Sequence, residues 1–333
     1  MASSNKLISL SIFLLLLCLP VFANQETQST SSSQCGTESQ GGCHDKAKAL
    51  RFKLIAIASI LIASMLGVTL PLFSSAVPAL QPDRNLFVVV KAFSSGVILA
   101  TGYMHVLPDS FDCLTSECLP ENPWHKFPFT TFVAMLSAVF TLMVDSFSMS
   151  YYKKKLSDHS VVKVSDQMER LHCCFATRVV AQVLEGGIVV HSVVIGLAMG
   201  ASDNPCTIRT LIAALCFHQL FEGMGLGGCI LQGEYGPKMK AIMVFFFSVT
   251  TPFGIALGIG LSNVYSEDSP TALIVVGILN AASAGLLNYT ALVDLLAADF
   301  MGAKLQGSTK LQIGSCTAVL LGAGGMSVMA IWA

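Results

Sequence analysis

Apolar residues in this chain gather in long runs, without the strict alternation of a half-buried strand. Eight such runs stand out: Leu54–Phe73, Leu86–Val106, Phe129–Phe147, Val179–Ala201, Leu211–Leu231, Ala241–Leu261, Ala272–Leu296 and Ile313–Ala333. Each holds about the 20 residues that a helix needs to cross roughly 30 Å of hydrocarbon. Only helices and closed barrels can span a bilayer, and barrel-type alternation is absent from these runs. The pattern predicts an all-α integral membrane protein of eight transmembrane helices.

The N-terminus reads differently. Lys6 precedes an apolar core from Leu7 to Leu19, and Val21-Phe22-Ala23 supplies small residues for cleavage after Ala23. A signal anchor is the competing reading. With cleavage, residues 1–23 are a signal peptide and 24–53 a polar extracytosolic tail. Residues 54–150 then hold helices one to three, 151–178 a cytosolic variable loop, and 179–333 helices four to eight. Eight spans bring both termini to the extracytosolic side. The basic residues agree with this orientation. Cytosolic loops and their flanks would carry Arg84, Lys91, Lys153, Lys154, Lys155, Lys163, Arg170, Arg178, Lys238, Lys240, Lys304 and Lys310. The other side would carry only Lys46, Lys48, Arg51, Lys53, Lys126 and Arg209. The 151–178 loop is polar, shows no strong periodic pattern, and is expected to be mobile and regulatory.

Composition narrows the function. Of 333 residues 53% are hydrophobic and only 12% charged, half the charge of an ordinary soluble domain. That excludes a cytosolic enzyme, a disordered chain and a coiled coil. Lys+Arg number 19 against 20 Asp+Glu, so no basic excess exists to bind nucleic acid. The bilayer is the expected macroscopic partner. Among eleven cysteines, Cys35–Cys43 and Cys113–Cys118 are candidate short disulfides on the oxidising side, where Cys206 also lies; connectivity stays open. Cys216, Cys229 and Cys316 read as packing residues. Asn288-Tyr289-Thr290 fits a glycosylation sequon, but it lies inside the seventh span and is expected to be unmodified.

Polar residues inside the spans are expensive, so each is a functional hypothesis. His191 falls near the middle of the fourth span, and His218 and Glu222 bracket the middle of the fifth. His218 and Glu222 are four apart and share a helix face. With His191 on the neighbouring antiparallel helix they offer three ligands for a first-row divalent metal, with Ser192 or Gln219 as weak oxygen donors. The competing reading is a structural hydrogen-bonded pair. The two segments share a short pattern in opposite membrane orientation, as inverted repeats do around a midplane site. Glu185 lies about 120° round the helix from His191 and nearer the cytosol, either receiving a departing ion or pairing with another helix. His105 and Asp109, four apart at the outer end of the second span with Asp112 beyond, would form an acidic mouth that concentrates cations; a solvated helix end is the alternative. Asp145 is a second-rank candidate, and Asp294 and Asp299 read as interfacial. Glycine pairs Gly196/Gly200, Gly223/Gly227 and Gly254/Gly258 have the spacing that lets helix backbones meet. Asp158, His159, Asp166, Glu169, His172, Cys173 and Cys174 could bind metal loosely or simply be solvated.

His191-Ser192-Val193-Val194-Ile195-Gly196 and His218-Gln219-Leu220-Phe221-Glu222-Gly223 resemble the paired signature helices of ZIP transporters, importers of divalent metals. The resemblance covers nearly the whole chain after the signal. His105-Val106-Leu107-Pro108-Asp109-Ser110-Phe111, Glu121-Asn122-Pro123-Trp124-His125-Lys126 and Ala291–Phe300 are similar to the plant branch, most of all to root iron-uptake transporters. It implies an eight-helix ZIP-type bundle and import toward the cytosol. The transport site would be His191, His218 and Glu222 with Ser192 and Gln219 beside them, and selectivity would lie near His105, Asp109 and Asp112, with Asp145 contributing. It also implies an elevator-like movement of one helix group against another. The metal, Fe²⁺ or Zn²⁺ with Mn²⁺ and Cd²⁺ tolerated, is then substrate and no cofactor is expected. The plasma membrane is the expected location and a homodimer an open possibility. Ile195 and Thr251 stand where bacterial relatives carry acidic ligands, so the resemblance stops short of a two-metal site. Asn288 replaces a usually apolar residue, and the loop lacks a His-x-His run. An intramembrane zinc hydrolase and a metal-sensing receptor are the alternatives; against the first, His-Glu-x-x-His is missing from the sequence.

Overall fold

A computed structural model of the chain describes residues 45–73, 84–159, 165–262 and 269–331. The signal peptide, most of the N-terminal tail and Cys35–Cys43 lie outside the described residues. So do the side chains of Asp158, His159, Asp166, Glu169, His172, Cys173 and Cys174. Eight helices among the described residues are long and apolar enough to cross a membrane. We number them α1 Lys46–Leu72, α2 Asn85–Leu114, α3 Phe129–His159, α4 Ser165–Ala201, α5 Pro205–Gln232, α6 Pro237–Leu261, α7 Pro270–Phe300 and α8 Thr309–Ala330.

Local chemistry sets the helix starts. Asp45, Asn204, Ser269 and Ser308 are side-chain N-caps, accepting from the backbone N–H of Lys48, Cys206, Ala272 and Leu311 respectively. Pro205, Pro237 and Pro270 occupy the first helical position, where a missing N–H costs nothing. Helix α2 runs beyond the expected stop at Val106. It passes through a π-helical stretch, Gly102–Val106, and resumes as α-helix over Leu107–Leu114. A second π-helical stretch, Thr290–Ala297, interrupts α7. Most of the 151–178 segment is helix rather than loop, since α3 continues to His159 and α4 begins at Ser165. Its polar residues hid that continuation, because periodicity there has no apolar face to report it. Cys118 and Cys206 are disulfide-bonded, whereas Cys113 is a thiol, so the Cys113–Cys118 pairing does not form.

The helices pack as two groups. In one, α1 lies along α5, α4 along α6, and α1 also meets α6. In the other, α2 lies along α8 and α3 along α7. Within each group the backbones touch. A Cβ at Gly196 would stand 2.7 Å from the Thr251 carbonyl and one at Gly200 2.8 Å from the Gly258 Cα, so the α4–α6 seam requires both glycine pairs. A Cβ on Gly223 would stand 2.8 Å from the Val68 backbone nitrogen across α5–α1, and Cβ atoms on Gly285 and Gly322 would run into the Ala134 and Phe93 carbonyls across α7–α3 and α8–α2. Ser137 reinforces α3–α7 with a 2.6 Å hydrogen bond to the Ala282 carbonyl, and Ser110 ties α2 to the Gly277 carbonyl of α7 at 2.7 Å.

Between the groups the contacts are made mainly by side chains. Gly187 of α4 faces Leu286 and Leu287 side chains of α7 at 3.3 and 3.7 Å from an added Cβ, and Gly225 of α5 faces Ile98 and Ser94 of α2. One hydrogen bond, from the Ser283 hydroxyl to the Gly187 carbonyl at 2.8 Å, joins α7 to α4. At one face of the bundle Lys91 is buried and paired with Asp299 at 2.9 Å. At the same face Arg178 donates to the Gly233 and Glu234 carbonyls at 2.6 and 2.9 Å, and Tyr235 donates back to the Arg178 carbonyl at 2.7 Å. At the opposite face Lys46 and Lys53 both approach Asp203, at 3.3 and 3.8 Å.

Candidate metal centre

Three imidazoles meet where the two groups join. His105 comes from α2; His191 and His218 come from α4 and α5. Their ring centroids lie 5.8 Å (His105–His191), 5.8 Å (His105–His218) and 5.7 Å (His191–His218) apart, a nearly equilateral triangle. All three side chains are buried. Glu222, one turn further along α5 than His218, is fully buried.

These groups lack the partners that buried polar atoms normally have. Both ring nitrogens of His191 and of His218, Nε2 of His105, both Glu222 carboxylate oxygens, the Ser192 hydroxyl and the Gln219 amide nitrogen have no hydrogen bond of standard geometry. The Thr101 hydroxyl lies close to Glu222, but its proton goes to the Val97 carbonyl at 3.0 Å. An unpaired buried polar group costs about 1–3 kcal/mol, more when charged. Concentrating so many at one place stores a need for a ligand that brings its own charge.

The donor set suits a first-row divalent cation. A zinc-like ion about 2.0–2.1 Å from one nitrogen of each ring would hold the ring centroids about 5–5.5 Å apart. The observed triangle is slightly wider. Among the described residues no three His, Cys, Asp or Glu side chains yet close to ligand distance round one point. The centroid triangle would contract by a few tenths of an ångström to reach that spacing.

The sequence-derived candidates divide. His191, His218 and Glu222 come together as expected, with Ser192 and Gln219 buried on the adjoining helix positions. His105, expected at an outer mouth beside Asp109, is instead 5% exposed and packed against the other two histidines. The reason is the π-helical stretch that contains it. Four-residue spacing assumes an α-helix, and the wider turn changes which face His105 presents. Asp109 is half-buried and Asp112 exposed, within electrostatic reach of each other. Asp145 does not join them. It lies 16 residues along α3 from Phe129, about 24 Å away down the helix, towards the Lys91 face. There the Tyr289 hydroxyl of α7 lies close to it and Asp294 stands nearby. Glu185 is half-buried, six residues and so about 9 Å nearer the Lys91 face than His191.

Sequence reading missed Thr101, Ser94 and Ser248, all fully buried and neutral. Hydroxyl residues are cheap to bury in a helix, so nothing in composition marks them. Ile195 packs in an apolar cluster with Met199 and Ile255, while the Thr251 hydroxyl is buried without a partner.

The family model described as ZIP Zinc transporter matches residues 50–174 and 163–330. "Fe(2+) transport protein 2" of Oryza sativa subsp. japonica is 55% identical over 369 aligned positions that cover all of both chains. "Fe(2+) transport protein 1" of Arabidopsis thaliana is 56% identical, again over the full length of both. "Probable zinc transporter 8" of Arabidopsis thaliana is 57% identical over 97% of each chain.

Proposed function

Since the chain belongs to the ZIP family of metal transporters, we propose that it imports divalent transition-metal ions through the centre formed by His105, His191, His218 and Glu222. The observation that carries this reading is the set of buried, unpartnered imidazoles and carboxylate at the junction of two helix groups. The protein is a transporter, not an enzyme, and the ion is its substrate.

Positive-inside counting supports a cytosolic Lys91 face and an outer Asp203 face, and we take the membrane to be the plasma membrane. Asp109 and Asp112 then draw a hydrated cation to the outer end of α2. At the junction the ion exchanges water for imidazole nitrogen and Glu222 oxygen. Ser192 and Gln219 supply weak oxygen donors beside it. Binding has to be loose enough for release, and a ligand set divided between two helix groups meets that need. Glu185, nearer the Lys91 face, offers the departing ion its next carboxylate.

The packing supports an elevator-like movement. Backbone contact through glycines makes each group stiff, whereas side-chain contact between α4 and α7 and between α2 and α5 lets one slide on the other. His191, His218 and Glu222 would travel with one group while His105 stays with the other. Imidazole and carboxylate accept both Fe²⁺ and Zn²⁺, and tolerate Mn²⁺ and Cd²⁺.

Reconstitution into liposomes tests the proposal. Saturable uptake of radioactive Zn²⁺, and of Fe²⁺ under reductant, is expected for the wild type and lost in His218→Ala. Tight binding with no uptake would overturn it and favour a sensor or an intramembrane hydrolase.

A further inference from the structure

We propose that Ile98, seated on Gly225, is the apolar barrier that closes the route from the metal centre to the cytosolic face. The inference rests on the transport reading above and adds a residue to it.

Two helix faces oppose each other across the junction of the groups. On α2 the face carries Ser94, Ile98, Thr101 and His105, at spacings of four, three and four. On α5 it carries His218, Glu222, Gly225 and Cys229, at the same spacings. The helices run antiparallel, so the residues meet in order. His105 faces His218 with centroids 5.8 Å apart. Thr101 lies beside Glu222. The Ile98 Cδ1 stands 2.8 Å from where a Gly225 Cβ would be, and the Ser94 Cβ 3.7 Å from the same point. One turn further on, the Lys91 ammonium reaches the Gln232 side chain at 3.5 Å and Asp299 at 2.9 Å.

The order along this seam is polar, polar, apolar, polar. Ile98 is fully buried. On its far side Ser94 is also fully buried, and its hydroxyl has no partner, although the adjacent Ser95 hydroxyl donates to the Lys91 carbonyl at 2.8 Å. Polar groups therefore lie on both sides of Ile98, which packs in one apolar cluster with Leu226 and Cys229. A cation leaving Glu222 cannot cross a dry apolar contact without losing its remaining ligands, which is how hydrophobic constrictions close pores. Glycine at 225 lets the isoleucine lie on the α5 backbone; a side chain there would have to displace the Ile98 tip. Because α2 and α5 belong to different groups, a slide that carries Glu222 inward also draws Gly225 from under Ile98 and opens the barrier.

The test uses the full chain in membrane vesicles of both orientations, without added metal. A membrane-impermeant methanethiosulfonate is applied, and modification is read residue by residue by peptide mass spectrometry. Ser94→Cys reports the cytosolic side of the barrier and Thr101→Cys the central side. With Ile98 present, labelling from the cytosolic face is expected to be at least tenfold slower at Thr101→Cys than at Ser94→Cys, both being buried and reached only as the seam opens. Adding Ile98→Ala should remove that difference, Ile98→Val should reduce it in part, and Ile98→Ala with Gly225→Val should restore it by returning the lost volume from the other helix. Equal labelling of the two positions with Ile98 intact would overturn the proposal, as would an Ile98→Ala protein that folds and keeps the protection. Failure of the transport reading is seen separately, as wild-type liposomes that take up no metal.

Discussion

The imidazole of His105 stands edge-on to that of His191, with centroids 5.8 Å and planes 88° apart, although the two belong to different helix groups. This placement exists only while the groups are docked, so at the proposed centre metal affinity and group docking would be one property.

His105→Ala should therefore act as the loss of a central ligand. Uptake efficiency is expected to fall about 10–100-fold, the scale on which weakened metal ligation is felt. Asp109→Asn should fall only a few-fold, with an effect that fades as salt screens the outer mouth. Uptake kinetics at two ionic strengths separate the two.

Glu222→Gln should trade function for stability. The carboxylate is fully buried with no standard hydrogen bond to either oxygen. Replacing a buried carboxyl that has no cation beside it with a neutral isostere removes the cost of ionising it there, several kcal/mol at most. A higher Tm in a metal-free thermal shift assay, together with at least tenfold lower uptake, is the expected pair of results.

Much of this organisation is legible in the apolar runs, and the exceptions are specific. All eight spans appear because hydrocarbon imposes both length and composition. The α4–α6 seam is foreshadowed by Gly196/Gly200 and Gly254/Gly258, which do face each other. His191, His218 and Glu222 were readable because a charge or imidazole in mid-span has few bland explanations. His105 was not, since a π-helical turn leaves no mark in residue spacing. Nor was the extension of α2 to Leu114, because Pro108 and Asp109 look like a helix end while Pro108 in fact sits in the first turn after the π stretch.

The glycine seam should be brittle. Gly258→Ala would place a methyl 2.7 Å from the Gly200 Cα, where backbone cannot yield cheaply. Overpacking of this kind costs about 1–3 kcal/mol. A clear fall in Tm is expected, whereas Gly324→Ala, with nothing within 4 Å, should leave Tm unchanged.

The buried Lys91 is stabilised by Asp299. Asp299→Asn should lower Tm by stranding the ammonium, and Lys91→Met should lower it less. The double variant should recover part of the loss, because paired removal avoids an uncompensated charge. A thermal double-mutant cycle measures this.

Asn288 should carry no glycan when the protein is made in a eukaryotic host. It is 8% exposed and lies midway along α7. Endoglycosidase treatment is expected to leave the mobility of the chain unchanged.

Whether one ion is held jointly by both helix groups is tested most directly by zinc K-edge X-ray absorption of the loaded protein. Three imidazole nitrogens at about 2.0–2.1 Å are expected in the wild type, falling to two in His105→Ala with zinc still bound. Two imidazoles in the wild type, or a count that His105→Ala leaves unchanged, would contradict it.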